Sequence, residues 1–79
     1  MKLDILSPEE EVFSGEVETI SLPGISGRFQ LLNHHAPIIS ALTNGTIRYV
    51  LKDGKSEATY EIKGGMVEMF DNSVVILVD

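Results

Sequence analysis

Turn-forming residues punctuate this chain so often that no long helix fits between them. Gly15, Pro23-Gly24, Gly27, Pro37, Asn44-Gly45, Asp53-Gly54, Gly64-Gly65 and Asp71-Asn72 break the 79 residues into short apolar runs. Gly supplies positive φ, Pro pre-sets φ, and Asn and Asp tolerate left-handed backbone, so this spacing predicts short strands in a sandwich or a barrel.

Segment 45–63 is the most explicit. In Gly45–Lys52, Ile47, Tyr49 and Leu51 alternate with polar residues; in Lys55–Lys63, Ala58, Tyr60 and Ile62 do the same. Asp53-Gly54 between them predicts a two-residue type I′ hairpin with φ > 0 at both central positions. That turn sets Tyr49 opposite Ala58 and Ile47 opposite Tyr60, which brings the two apolar sets to one face. Gly64-Gly65 marks a bend or bulge. Met66–Phe70 and Ser73–Val78 then form a second hairpin around Asp71-Asn72. The run Val74-Val75-Ile76-Leu77-Val78 does not alternate, which predicts a strand covered on both faces, by its own domain or by another subunit.

Earlier in the chain, Lys2–Leu6, Glu16–Leu22, Arg28–Leu32 and Ile38–Leu42 read as strands. Ser7-Pro8-Glu9-Glu10 has a helix-start composition, but no apolar run of helical period follows it, so a tight turn is predicted.

A chain this short buries only a little over ~60% of the surface it exposes when unfolded, so its core alone leaves stability marginal. It has no Cys, which excludes disulfides and Cys-ligated metal and fits a reducing compartment. With 6 basic and 12 acidic residues the net charge is −6, unfavourable for binding nucleic acid or an anionic lipid surface. No stretch approaches the ~20 apolar residues that span a bilayer, and Met1-Lys2-Leu3-Asp4 does not lead into a signal-peptide core. The expectation is a soluble, cytosolic protein that reaches a membrane only through a partner.

The candidate catalytic motifs dissolve on inspection. Gly54-Lys55-Ser56 matches the end of a phosphate-binding loop, but Tyr49 stands where the full motif needs Gly, and the setting is a hairpin rather than a strand-to-helix turn. Asn44-Gly45-Thr46 is read as a turn rather than a glycosylation acceptor. Gly24-Ile25-Ser26-Gly27 lacks nucleophile-elbow spacing, and no Ser/His/Asp set is visible. His34 and His35 are neighbours, which in extended chain point to opposite faces; one exposed and one packed or hydrogen-bonded His is expected, not a metal pair. Glu9, Glu10 and Glu11 read as a solvated turn. The remaining feature is surplus apolar surface at Ile38-Ile39, Met66, Met69 and the terminal strand, which points to a partner-binding face.

Several short segments, taken in order, resemble the ATP synthase epsilon subunit across essentially the whole chain. They are Leu6-Ser7-Pro8-Glu9, Phe13-Ser14-Gly15-Glu16-Val17, Leu22-Pro23-Gly24, Gly27 with Phe29, His35-Ala36-Pro37, Asn44-Gly45, Gly64-Gly65-Met66-Val67-Glu68 and Asn72 to Leu77. The resemblance implies an all-β fold, a flattened antiparallel β-sandwich of short strands, as one domain spanning 1–79. It implies a non-catalytic central-stalk subunit of a proton- or sodium-translocating rotary ATP synthase, peripheral to the cytoplasmic side of a bacterial plasma membrane, with no cofactor. The implied partners are the gamma subunit and the c-ring. Carried over by position, Ser7, His35 and Ser40 lie on the gamma-facing side, joined by Met69 and Val75 of the apolar surface, while Arg28 and Phe29 approach the rotor ring.

Two departures from the family pattern stand out. Gln30, Asn33 and His34 replace residues that are commonly Gly, Pro and Gly, so the loop before His35 is expected to differ in shape. The helical hairpin that carries inhibition and, in some members, ATP binding is absent, so neither activity is expected; the neat stop after a complete strand reads as natural shortness. The alternative from another class is a lipoyl- or biotinyl-carrier-like all-β domain with Lys55, beside the Asp53-Gly54 turn, as the modified residue.

Overall fold

Each predicted strand segment is extended in the computed structural model, which describes residues 1–79 and contains eight strands and no helix. They are β1 (Lys2–Leu6), β2 (Glu11–Gly24), β3 (Gly27–Leu32), β4 (Ile38–Leu42), β5 (Gly45–Leu51), β6 (Glu57–Ile62), β7 (Gly65–Phe70) and β8 (Ser73–Val78). The predicted second strand, Glu16–Leu22, is the core of a longer one: β2 runs 14 residues, straight through Gly15. Gly15 is no turn here. A Cβ at that position would lie 3.0 Å from the Phe13 ring, so the missing side chain lets the ring fold over the strand.

The length of β2 organises the sandwich. Its first half pairs with β1 and its second half with β3 and β5. One layer is therefore β6-β5-β2-β3 and the other β4-β7-β8-β1-β2, all joined in a single hydrogen-bonded network. The result is flattened, 28 × 25 × 18 Å. All pairings are antiparallel except that of β1 with β8, which is parallel and sets Lys2–Leu6 against Ser73–Leu77.

The hairpin register agrees with the reading of 45–63: Ile47 faces Tyr60 and Tyr49 faces Ala58. The turn type does not. Pairing ends at Leu51 and Ser56, leaving Lys52–Lys55 as the loop, and only Gly54 has positive φ, 74°. The Asp53 carboxylate explains the change, since it accepts the backbone N–H of Lys55 and Ser56 at 2.8 Å and the Ser56 hydroxyl at 2.6 Å, an arrangement open to a wider loop. Those bonds also hold the Asp53 carboxyl below its ordinary range. The type I′ pattern occurs at the other hairpin, where Asp71 and Asn72 take φ of 51° and 61° between paired Phe70 and Ser73. Ser7–Glu10 is a tight turn, closed by the Ser7 N–H on the Glu10 carbonyl and the Glu10 N–H on the Ser7 hydroxyl.

The core is one apolar cluster drawn from both layers, including Leu3, Ile5, Val17, Ile20, Leu22, Leu31, Ile47, Val67, Met69, Val74 and Ile76. No polar side chain is buried within it. Within the domain itself β8 is covered on one face only: Val74, Ile76 and Val78 are buried, Val75 is half-buried and Leu77 is 53% exposed, so the domain alone does not supply the cover expected on both faces. Consecutive residues of one strand thus do different work. Ile76→Ala is expected to destabilise the fold by about 2–5 kcal/mol, and Leu77→Ala by about 0.5 kcal/mol or less, as read from urea unfolding midpoints.

Candidate functional site

The outward side of β4, β7, β8 and β1 carries four of the six exposed large apolar side chains, and strand register lays it out in rows. One row runs Ala41–Met66–Leu77–Leu6, the next Ile39–Glu68–Val75–Asp4, and the third begins with Phe70 and continues through Ser73 to Lys2. Ile39 is 67% exposed, Phe70 68% and Met66 45%. Single exposed apolar residues are ordinary; a contiguous set on adjacent strands of so small a domain marks an interaction surface. Two shallow hollows lie on this face. One is lined by Pro37, Ile38, Ile39, Glu68, Met69 and Phe70, the other by Ile39, Met66, Val67, Glu68, Val75 and Leu77. Ile39 and Glu68 border both.

Polar groups bound the face on the β1 side. The Lys2 ammonium donates to Asp4 Oδ1 at 2.9 Å and also to the Ser14 hydroxyl, which itself donates to Asp4 at 2.6 Å. The Ser14 hydroxyl, and then Lys2, hold the Asp4 carboxyl below the ordinary value of 3.8. At the lower end, the Met1 amine donates to the Val17 carbonyl at 3.0 Å and to Asn33 Oδ1 at 2.7 Å, tying the start of β1 to β2 and to the β3–β4 loop.

That loop carries His34 and His35. His34 stands where the resemblance implied Gly and takes φ of 64°, the left-handed backbone that glycine favours. Its N–H donates to Asn72 Oδ1 at 2.7 Å, so the β7–β8 turn holds the conformation. Both histidines are exposed, and the His35 Nδ1 lies 2.7 Å from the Ala36 carbonyl. His34, His35, Pro37 and Phe70 share a third hollow with Ala36, Asp71 and Asn72, beside the apolar face. No group of three or more His, Asp or Glu side chains is arranged to hold a metal ion.

A family profile described as "ATP synthase, Delta/Epsilon chain, beta-sandwich domain" matches residues 1–79. The chain belongs to the ATP synthase epsilon family. It is 42% identical over 78 residues to a protein of Chlorobium limicola called ATP synthase epsilon chain, covering 99% of this chain and 88% of that one. A protein of the same name from Dehalococcoides mccartyi is 40% identical over 79 residues, covering 100% of this chain and 55% of its own length. Among solved structures, a chain in the Euglena gracilis mitochondrial ATP synthase (OSCP/F1/c-ring) superposes with a TM-score of 0.88 at 23% identity, over 96% of this chain and 48% of that one. A chain in the Tetrahymena thermophila mitochondrial ATP synthase (central stalk and c-ring) gives 0.81 at 19% identity, over 99% and 62%. At these identities the structural matches speak for the fold. This chain spans most of the Chlorobium relative and about half of the Dehalococcoides and Euglena chains.

Within the epsilon-type fold, the residues singled out on the gamma side are only partly brought together. Val75 lies in the middle row of the apolar face, Ser7 at its upper end in the turn after Leu6, and His35 at its lower end. Ser40 is paired with Val67 and belongs to the inward phase of β4, half-buried, with its hydroxyl on the Ala41 carbonyl. Met69 has to be withdrawn as a contact: it is 1% exposed, because the turn at Asp71-Asn72 pairs it with Val74 and points both into the core. A charged residue there disrupts folding rather than docking. The exposed large apolar residues of this face are instead Ile39, Met66, Phe70 and Leu77.

The two ring-side candidates stand on β3, in the other layer. Arg28 stands near the start of the strand, and its guanidinium bends back over the sheet, with Nε donating to Ser21 Oγ at 2.9 Å and Nη2 to the Thr46 carbonyl. Phe29 is half-buried and packs on the core. The exposed tip beside them is Ile25, in the Gly24–Gly27 turn. Lys55 is the last residue of the four-residue β5–β6 loop, not at a tight tip.

Because the Asp4 carboxyl is depressed in the folded state, its bonds stabilise the fold above the unfolded value near 3.8 and are lost as pH falls through the lower folded value. Asp4→Asn is therefore expected to be less stable than the parent at neutral pH. Its urea midpoint should fall less on acidification to about pH 3, and an equal fall in both proteins would contradict the assignment.

Proposed function

We propose that this chain is a non-catalytic central-stalk subunit of a rotary proton- or sodium-translocating ATP synthase, with residues 1–79 as its β-sandwich domain, docking on the gamma subunit and coupling it to the membrane rotor ring. The observation that carries the reading is the open apolar face of β4, β7 and β8 on a chain of the epsilon family. A stalk subunit that transmits torque needs a broad, dry contact that does not slip, and contiguous apolar rows on a rigid sheet supply one. The ring side is assigned to the Gly24–Gly27 turn with Ile25, Arg28 and Phe29, which stands on the other layer beside the upper end of β4; the Ile25 N–H is bonded to the Ala41 carbonyl. The two contacts thus stand on different elements of one small sandwich.

No helix in this structure is long and apolar enough to cross a membrane. In this reading the chain is held at the cytoplasmic side of a bacterial membrane through its partners. ATP hydrolysis and ATP binding are assigned to other parts of the assembly.

Size-exclusion chromatography of this chain mixed with a separately expressed gamma subunit should give a stable one-to-one complex. Leu77→Asp should keep the parent's circular dichroism, because Leu77 lies outside the core, and should elute free of gamma. Co-elution of folded Leu77→Asp with gamma would remove this face as the docking surface.

A further inference from the structure

The apolar face contains one charge with no partner. Glu68 lies between Ile39 of β4 and Val75 of β8 in the middle row, and it borders both hollows. None of the chain's ion pairs includes it: those are Met1–Glu16, Lys2–Asp4 and Arg48–Glu57. The basic side chains are committed or placed elsewhere. Lys2 is bonded to Asp4 and Ser14, Arg28 to Ser21 and Thr46, and Arg48 stands against Glu57. Lys52 and Lys55 lie in the β5–β6 loop, and Lys63 follows β6.

Free in solution, the Glu68 carboxylate is hydrated, because it is exposed. A partner that covers Ile39, Met66, Phe70 and Leu77 covers Glu68 with them, since it stands in their midst. Stripping water from an ionised carboxylate opposes binding unless an opposite charge and hydrogen-bond donors replace the water. The β-branched neighbours on either side offer no donor.

Resting on the reading of this face as the gamma-docking surface, we infer that the docked partner presents a lysine or arginine side chain over Glu68, so that a single charge pair enclosed by apolar contacts sets the register of docking. The occupant is thus an apolar surface of gamma with one basic residue at its centre, complementary both to the rows of this sheet and to their one unpaired acid. The acidic balance of the chain, net charge −6, favours approach of such a surface.

The sign of one substitution decides the matter. If a cation sits over Glu68, Glu68→Gln leaves that cation buried and unpaired, and affinity for gamma by isothermal titration calorimetry at neutral pH should weaken roughly 30-fold or more. Glu68→Lys should weaken it further. If no cation is present, Glu68→Gln removes only a desolvation cost, and binding is unchanged or tighter. Both substitutions fall on an exposed position, and circular dichroism confirms folding. Leu77→Asp, measured alongside, separates the two claims. Loss of binding by Leu77→Asp with unchanged or tighter binding by Glu68→Gln overturns the charge pair and leaves the docking face standing. Full affinity in Leu77→Asp overturns the face, and the charge pair with it.

Discussion

The structure depends on one of the two irregularities in β2, the one midway along it. Val17 pairs with Leu51 but Thr19 pairs with Val50, so Glu18 is an extra residue on its strand. In a regular strand, residues three apart point to opposite faces; this bulge lets Val17 and Ile20 both point inward. Without it, Ser21 would enter the core and Leu22 would leave it. The bulge falls where β2 passes from one layer to the other, so one long strand walls both halves of the sandwich. β1 hangs from the first half of β2, β8 joins β1 in parallel, and β7 and β4 follow. The apolar outer face is therefore built on strands whose position is set by β2.

A domain of this size has room for a single thin core, and residues beyond its capacity are left outside. Here the surplus is concentrated rather than scattered. Val74, Ile76 and Val78 hold β8 to the interior, while Val75 and Leu77 turn the opposite side of the same strand outward, next to Met66 and Ile39. Fold stability and the proposed docking thus draw on opposite faces of the same elements. A substitution on the outer face can be read as a binding effect with little confusion from unfolding, which is rarely possible in so small a protein.

Much of the fold was legible in the residues. Strict alternation from Gly45 to Ile62 and the Asp53-Gly54 turn yield the hairpin register, because an even side-chain period leaves one pairing that buries both apolar sets. The turn type was not legible, since three bonds from the Asp53 carboxylate open the loop, and a motif of two residues carries no sign of them. Gly15 reads as punctuation but is a site of close approach, which depends on where the Phe13 ring folds. The Met66–Phe70 strand does hold the deciding signal: Glu68 at its centre puts Met66 and Phe70 outward with it and sends Met69 into the core. Read as a patch, the segment hides that phase. The terminal apolar run hides it too, since every position looks buried. Parallel pairing of β1 with β8 joins the two ends of the chain, and no local pattern reports it.

The most direct test of the docking face uses the three methionines as built-in probes. Met66 lies on the outer face, while Met1 and Met69 are 5% and 1% exposed in the core. With ¹³C-labelled methionine methyl groups, titration of the gamma subunit should shift or broaden the Met66 resonance strongly and leave those of Met1 and Met69 comparatively unmoved. A Met66 signal unchanged at saturating gamma would contradict the account, because the surface beside Leu77 and Ile39 would then remain open to water in the complex.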